Sequence, residues 1–438
     1  MTTMPVTRST LAAIATLTAA TLLLPAPARA QSAEDIRAIR EELAALRDEQ
    51  AHINELQARN AASIAALEAR MGVTPTTAAS APTAQATAAA PAPTPTSIGD
   101  RLKLSGDLRL RAQHDRSDAD RRDRSSTQVR ARLGATFAFN DRISLGGRVV
   151  TGDADDPNST DVQLSNWTDD LDLNIDLAYA RLNLGDWALF GGKMPNPFAR
   201  TDLVWDGDVN PQGLAATYRH PLAGGGAVRA NALFFVLDEQ AAGSDSTMAG
   251  VQLGYDTPST GAVKFDLSGA YYQYSLGSLA GADSGDWRTN RLNADGTFRS
   301  DFQLANLLVG ASWQGTNEKW PIRIVGDFVR NLGAIDDEDT GFGLDVAFGR
   351  ASQAGDWRFN YGYAQTDVDA VLSAFSQDNI GIATNYKLHS FTVDYTPIPK
   401  TSISAIWYHY KPNDPAYAGS NAPDDWLDRF RLYFLTSF

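Results

Sequence analysis

The sequence is informative first in what it lacks. Its 438 residues include no cysteine, only five histidines and, beyond the extreme N-terminus, no run of about 20 apolar residues. The first absence excludes a disulfide scaffold, a thiolate metal site and a cysteine nucleophile, and the third excludes a membrane protein built from helices. Basic residues are also in deficit, 38 Lys and Arg against 52 Asp and Glu. This argues against a nucleic-acid binder, because such proteins gain affinity by neutralising phosphates.

The scarcity of histidine limits the catalytic chemistry that the chain can support. His52, His114, His220, His389 and His409 are scattered along the sequence, which contains no HExxH motif, no GxSxG nucleophile elbow and no P-loop. No serine is marked as the partner of a histidine and an aspartate. We therefore expect no enzymatic activity, no cofactor and no metal site.

The N-terminus carries the features of an export signal. Arg8 precedes an apolar run from Leu11 to Leu24, and Ala28-Arg29-Ala30 then supplies the small residues that a signal peptidase requires. Residues 1–30 are therefore predicted to be a secretory signal peptide that is cleaved before Gln31.

Residues 31–72 contain a seven-residue repeat of apolar positions. The a positions are Ile36, Leu43, Gln50, Gln57, Ile64 and Met71, and the d positions are Ile39, Leu46, Ile53, Asn60 and Leu67. This spacing predicts a coiled coil, and a helix that is charged on its other faces requires a partner. The alternative is an amphipathic helix packed on its own chain. Residues 73–100 are rich in Thr, Ala and Pro, a composition that predicts an extended linker.

In residues 101–438 the period of the apolar residues changes from seven to two. In the first run, Leu102, Leu104 and Leu108 alternate with polar and charged residues. Such alternation places apolar side chains on one face of a strand and charged side chains on the other. Sixteen runs of this kind occur, including one at 378–396, with 18 strands as the alternative count.

The connections between these runs alternate in length. Short ones carry turn residues, as in Asn140-Asp141 and Gly185-Asp186, and much longer ones lie between them. An even strand count, segments of about ten alternating residues and this segregation of loops are what a transmembrane β-barrel requires. A soluble sandwich or propeller has no reason to segregate its loops in this way. The predicted fold is therefore all-β, a transmembrane antiparallel β-barrel preceded by the coiled coil, with bulges where the alternation changes phase near Tyr179 and His389.

Several segments resemble the family of outer-membrane proteins described as "putative porin". The likeness is carried by Leu104–Arg111, by Arg130–Gly134 and above all by Gly192–Phe198 with its continuation Thr201–Leu214. It implies a channel in the outer membrane without naming its cargo. The C-terminal Phe438 resembles the terminal aromatic residue by which such proteins are recognised for assembly.

Arginines concentrate on the polar phase of the first three strands and the last. They are Arg109, Arg111, Arg130, Arg132, Arg148, Arg429 and Arg431. Barrel closure makes the last strand a neighbour of the first, so these seven are predicted to form a basic arc on the pore wall. We expect the third long loop to fold inward and to face the arc with Asp202, Asp206 and Asp208, producing a transverse field that acts on solutes. The alternative is an arginine ladder, held by Asp107 and loop carboxylates, with no role in transport.

These features together predict a porin that forms a water-filled channel for passive diffusion of small hydrophilic solutes or ions. The expected partners are outer-membrane lipid and lipopolysaccharide, the barrel-assembly machinery and, by analogy with porins, two further copies of the chain in a homotrimer. The coiled coil would lie in the periplasm. The alternative function is structural, with the coiled coil tethering the outer membrane to peptidoglycan. No nucleic-acid partner is expected.

Overall fold

The computed structural model describes residues 98–117, 123–153, 156, 159–165, 167, 171–258, 261–277, 289–315, 317–418 and 425–438. The predicted signal peptide, the predicted coiled coil and nearly all of the predicted linker lie outside the described residues. Within the described part of the chain, no helix is long and apolar enough to cross a membrane.

A single helical turn, Ile98–Arg101, leads into a succession of β-strands. They are β1 (Leu102–Ser117), β2 (Arg124–Ala138), β3 (Ile143–Thr151), β4 (Val162–Gln163), β5 (Leu173–Leu184), β6 (Trp187–Lys193), β7 (Gln212–Pro221), β8 (Ala227–Asp238), β9 (Ser246–Asp256), β10 (Val263–Ser275), β11 (Gln303–Trp313), β12 (Ile322–Asn331), β13 (Thr340–Gly349), β14 (Asp356–Thr366), β15 (Tyr386–Ile398), β16 (Thr401–Pro412) and β17 (Leu427–Ser437).

Sixteen of these strands form one closed antiparallel barrel. Strands adjacent in the chain pair with each other, and β17 closes the sheet by pairing with β1, where Asp107 lies opposite Ser437. The two-residue strand β4 pairs with β2 and stands outside this count. The prediction of 16 strands is confirmed, and the alternative of 18 is wrong. Closure leaves no unpaired sheet edge, as a barrel within lipid requires.

The alternation in the sequence corresponds to the two faces of the barrel wall. Side chains on one phase are apolar and exposed, such as Leu214 at 65% and Leu253 at 68%. Side chains on the other phase face the lumen, where Gln252, next to Leu253 in the chain, is 1% exposed. A wall with an apolar outer band and polar residues inside suits a barrel surrounded by lipid tails.

The connections segregate by length, as predicted. The short turns, among them 139–142, 185–186 and 399–400, lie at the end of the barrel where β1 begins and β17 ends, and the long loops lie at the other end. Phe438 is at the turn end, where its ring is exposed and its backbone N–H donates to the carbonyl oxygen of Gly106 at 3.1 Å. Its recognition during assembly remains a prediction.

The predicted bulges differ from those observed. The phase change expected near Tyr179 occurs three residues earlier, at Asp176, where the pairing of β3 with β5 shifts by one residue. No register shift occurs at His389, and β15 is irregular only between Tyr395 and Ile398. The bulge at Asp176 is relevant to function because a bulge changes the direction in which a side chain points, here that of Asp176.

Two of the long loops pack inside the barrel. The third, L3 (residues 194–211), connects β6 to β7, and the seventh, L7 (residues 367–385), connects β14 to β15. The predicted strand at 378–396 is wrong over its first eight residues, because β15 begins only at Tyr386. The alternating pattern in 378–385 belongs to a loop enclosed by other parts of the protein.

An apolar core holds L3 and L7 inside the lumen. Trp205 of L3 is fully buried, and its ring stacks on Phe375 of L7 with the centroids 5.7 Å apart. Both rings belong to a cluster with inward-facing side chains of β8 to β12, which are Phe235, Met248, Tyr272, Leu304 and Val329. Burial of each large apolar side chain contributes roughly 1.5–3 kcal/mol. The core therefore attaches both loops to one half of the inner wall.

Glycines at the base of L3 allow the chain to leave the barrel wall. Gly192 of β6 and Gly213 of β7 lie directly opposite each other, with φ angles of +116° and +140°. A Cβ atom at Gly192 would collide with the carbonyl oxygen of Ala178, and one at Gly213 with that of Phe234. Only glycine suits these two positions.

Candidate pore constriction

The seven arginines singled out in the sequence lie on the inward phase of four adjacent strands, β17, β1, β2 and β3, which we call the arginine wall. Arg109 of β1 lies directly opposite Arg130 of β2. Like charges in this position destabilise a sheet, so carboxylates are needed between them. Five aspartates supply them, Asp107, Asp115, Asp161, Asp176 and Asp208.

Asp161, from the second long loop, bridges Arg109 and Arg111 of β1. Its carboxylate accepts from both Nε and Nη2 of Arg109, with the Nε contact at 3.1 Å, and lies 2.9 Å from Nη1 of Arg111. The Arg109 side chain remains 19% exposed, against 7% for Arg111. Arg109 is therefore the arginine of this strand that presents its charge to the lumen.

Two carboxylates share the arginines of β2. Asp107 accepts from Nη2 of Arg130 at 3.0 Å and from Nε of Arg132 at 2.7 Å. Asp208 of L3 accepts from Nη1 of Arg132 at 3.1 Å and lies 3.6 Å from Nη1 of Arg130. L3 therefore touches the arginine wall directly, through Asp208.

Two more arginines have separate carboxylate partners. Arg148 of β3 donates from Nε to Oδ1 of Asp176 at 3.0 Å. The side chain of Asp176, the residue at the β-bulge of β5, therefore points into the lumen. Arg429 of β17 donates from Nε to Oδ1 of Asp115 at 2.6 Å. Each pair joins neighbouring strands of the barrel wall.

Arg431 differs from the other six because its hydrogen bonds within the described part of the chain go to neutral groups. Its guanidinium donates to the side-chain oxygens of Gln113 and Asn379, each at 2.8 Å. Asn379 belongs to L7, where its backbone carbonyl also accepts from Arg429 at 2.9 Å and its amide donates to Asp202 of L3 at 3.0 Å. Asn379 thus joins β17, L7 and L3, a role that no pattern in the sequence indicates.

Of the three L3 aspartates expected to face the arginines, only Asp208 does so. Asp202 contacts Asn379. Asp206 is buried, accepts from the backbone N–H of Asp208 at 2.8 Å, and shares a hydrogen bond with the carboxyl group of Asp378 in L7. The structure differs from the expectation because the apolar core turns this part of L3 toward L7.

Burial changes the acidity of these loop carboxyls. Desolvation raises the pKa of Asp206 above its usual range, and the nearby carboxylates of Asp378 and Asp202 raise it further. Burial, followed by the charge of Asp345, raises the pKa of Asp202 to about 6. Burial likewise raises the pKa of Asp378. A proton shared between Asp206 and Asp378 avoids placing two negative charges side by side, so the contact between L3 and L7 depends on protonation.

Toward the turn end, the lumen contains a polar chamber of about 640 Å³. Its charged lining includes Arg229, Lys264, Asp266, Arg323, Asp345 and Arg358. Arg323 donates to Asp266 at 2.8 Å, so these charges are partly paired. Sequence reasoning concentrates on the first and last strands and misses this chamber, although its residues also occupy the polar phase of their strands. In the ranges that the structure describes, no three His, Asp or Glu side chains are grouped to hold a metal ion.

A closed barrel with a lipid-facing apolar band, a polar lumen and loops folded into that lumen defines the class of outer-membrane channels of the porin type. The family model described as "putative porin" matches residues 117–308, which confirms the resemblance noted in the sequence. A search of curated proteins finds no match.

Three solved structures are similar to this chain at low sequence identity. The high-pH structure of OprB from Pseudomonas putida has a TM-score of 0.53 and 10% identity, covering 77% of this chain and 94% of that one. OmpF from Salmonella typhi in complex with daunomycin has a TM-score of 0.49 and 13% identity, covering 77% and 97%. An anion-selective porin from Comamonas acidovorans has a TM-score of 0.46 and 13% identity, covering 77% and 99%. At these identities only the fold is comparable.

Proposed function

We propose that the protein is a porin through which small hydrophilic solutes or ions diffuse passively, and that the arginine wall sets the charge preference of the pore. The observation that carries the proposal is the contact of Asp208 with Arg130 and Arg132. This contact brings L3 against the arginine wall, so L3 narrows the lumen beside a group of fixed charges. Fixed charges at a constriction act strongly on passing ions.

The arginine wall carries an excess of positive charge. Six of its seven arginines contact five aspartates, and Arg431 contacts neutral groups. The side chains of Arg109, Arg132 and Arg148 remain 19%, 20% and 22% exposed. Charge on a low-dielectric wall raises the local concentration of ions of opposite sign. The proposed channel therefore prefers anions to cations.

Single-channel recordings in planar bilayers under a KCl gradient test the channel and its selectivity together. The test variant combines Arg109→Ala with Arg132→Ala, which removes two exposed charges from the lumen. We expect its reversal potential to move toward that of a cation-selective pore. The control is Arg142→Ala, the same chemical change on an exposed short turn.

Two results would contradict this proposal. A reversal potential in the double variant equal to that of Arg142→Ala would make the arginines a structural ladder without a role in transport. Absence of discrete conductance steps from the correctly folded wild-type protein would overturn the channel itself.

We further propose that residues 31–72 form a periplasmic coiled coil that holds three copies of the chain together. Support comes from the heptad repeat with apolar a and d positions, such as Ile36, Leu43 and Leu46. The closed barrel satisfies its own backbone hydrogen bonds, so conductance per pore does not require this segment.

Deleting residues 31–97 from the mature protein tests the coiled coil. We expect unchanged conductance per pore and a fall in particle mass from three chains to one, measured by light scattering with correction for detergent. Deleting only 73–97 is the control, because it removes the linker and keeps the heptads. If the 31–97 deletion remains trimeric but no longer co-sediments with peptidoglycan, the segment is a tether, as in the alternative function.

A further inference from the structure

The outward face of the barrel carries a group of basic side chains at its loop end. Lys387 of β15 lies directly opposite Lys411 of β16, and the next outward-facing pair toward the membrane centre is His389 and His409. Both lysines share the phase of Trp407, whose ring is exposed on the outer surface. Within the described residues, neither ammonium group has a carboxylate within ion-pair distance.

Among the described residues, no carboxylate pairs with either lysine. Like charges directly opposite each other destabilise a sheet. The nearby carboxylate of Asp428 is already engaged, since it accepts from Nδ1 of His409 at 2.7 Å and from Nε1 of Trp407 at 2.8 Å. Nζ of Lys411 lies 5.0 Å from the ring centroid of Trp426, a cation–π contact that positions the ammonium without neutralising it.

The two lysines stand at the level of lipid head groups. An aromatic belt on the same outer face lies closer to the membrane centre and consists of Tyr361, Phe391, Trp407 and Phe430, which face one another across four strands. Such belts mark the boundary between lipid tails and head groups. Each lysine is four residues farther toward the loop end than the aromatic residue on its strand, or about 13 Å of extended chain.

An apolar furrow adjoins this belt on the lipid-facing surface. It has a volume of about 710 Å³ and is lined by the small side chains of Ala112, Thr127 and Ala405 and by the rings of Trp407 and Phe430. A furrow with small residues along it and aromatic rings at its side offers a long apolar tail close contact with the wall.

We propose that Lys387 and Lys411 bind a phosphate group of an outer-leaflet glycolipid, one of whose acyl chains lies in the furrow. Charge complementarity selects this occupant over a second copy of the chain. The outward phases of β14 to β17 and β1 to β3 contain one carboxylate, that of Asp428, so the same face of another copy offers no free anion. A phosphorylated lipid supplies both the anion and the apolar tail.

Native mass spectrometry of the full-length protein in detergent tests this site, with bisphosphorylated lipid A as the probe and fully dephosphorylated lipid A as its counterpart. The test variant is K387A/K411A, and the matched control is K319A/K400A, which removes two exposed lysines of short turns. We expect the test variant to lose affinity for the phosphorylated probe by about tenfold or more. The control and the dephosphorylated probe should show no such change.

The inference depends on the outer-membrane location and not on pore selectivity, so conductance of the same variants is a separate readout and should equal that of wild type.

Wild-type affinity in K387A/K411A would overturn the site. An equal loss for both probes would overturn phosphate recognition. A changed number of chains per particle with unchanged lipid bound per chain would make this face an interface between copies, which also overturns the proposal. If the alanine variant misfolds, K387Q/K411Q replaces it. We expect this variant to lose the same affinity for phosphorylated lipid A while its thermal unfolding temperature equals that of wild type.

Discussion

The two halves of the inner wall use the same phase of the strand alternation for opposite purposes. On β8 to β12 many inward side chains next to L3 and L7 are apolar or aromatic, as at Phe235 and Met248, with a few polar ones such as Gln252. On β17, β1, β2 and β3 the inward positions carry the arginine wall. The apolar half fixes the loops by burial, and the arginine half remains polar beside them. An inward-facing side chain is therefore not always polar, because loops fill part of the lumen and form an apolar core there.

L3 connects these two halves. Its Trp205 is buried in the apolar core, and three residues later Asp208 contacts Arg130 and Arg132. The position of the one L3 carboxylate that contacts the arginine wall thus depends on the packing of a tryptophan. Changes on the apolar side should alter the width of the pore, and changes on the charged side should alter its selectivity.

The largest effect is expected from Trp205→Ala on the apolar side. Truncating a fully buried tryptophan typically costs about 3–5 kcal/mol, which here removes most of the anchor of L3. We expect higher and noisier single-channel conductance from a barrel that still assembles. Trp187→Ala, on the outward face where the ring is 48% exposed, is the control. Conductance of Trp205→Ala equal to that of the control would show that the core does not position the constriction.

A smaller effect is expected from Asp208→Asn on the charged side. Removing the L3 carboxylate that contacts Arg132 should shift the reversal potential toward anion selectivity, opposite in sign to the shift from removing arginines. Asp202→Asn is the matched control on the same loop, because Asp202 contacts Asn379 and not the arginines. Equal shifts in the two variants would contradict the distinction between these aspartates.

The smallest effect is a dependence of the loop contact on pH. The pKa of Asp206 is raised by burial and by the carboxylates of Asp378, Asp202 and Asp208. A raised pKa in the folded protein means that stabilisation of the L3–L7 contact is fully present below the unfolded value of about 4 and is lost as the pH rises through the folded value. Since the pKa is raised to about 10 for Asp206 and to about 7 for Asp378, we expect current noise from loop motion to increase as the pH rises from about 7 to 10.

Asp206→Asn should flatten this pH dependence, since an amide keeps the hydrogen bonding of the protonated acid without titrating. The charge of Arg431, which acts on Asp378, opposes the effect without removing it. Asp337→Asn, on an exposed long loop, is the control. A pH profile in Asp206→Asn identical to that of the control would assign the titration to another group.

Much of the barrel could be predicted because its signals are local. Alternation such as Leu102-Lys103-Leu104 specifies a strand with one apolar face, and turn residues mark its end. The same alternation misled at 378–385, where the residues belong to L7. The loop buries consecutive side chains there, as at Ala383, Thr384 and Asn385, so the alternation in its sequence does not reflect two faces, and periodicity alone does not separate a loop from a strand.

The candidate site was predictable only in part. The inward phase of the seven arginines follows from their strands, but Asn379 and Asp161 lie on loops whose path no local pattern specifies. Asp206 was expected to face the arginines together with Asp202 and Asp208, because all three lie on the third long loop, which was predicted to fold inward. Its burial beside Phe375 depends instead on packing between two loops distant in the chain.

The sequence by itself determined that residues 101–438 form an antiparallel β-barrel with long loops at one end and arginines on the inward phase. Lipid on one side and a polar lumen on the other impose this pattern residue by residue. The tertiary structure alone decided which carboxylate contacts which arginine and which part of the lumen is filled by L3 and L7. Those contacts join residues as far apart as Arg431 and Gln113, which are separated by 318 positions, and only closure of the barrel brings them together.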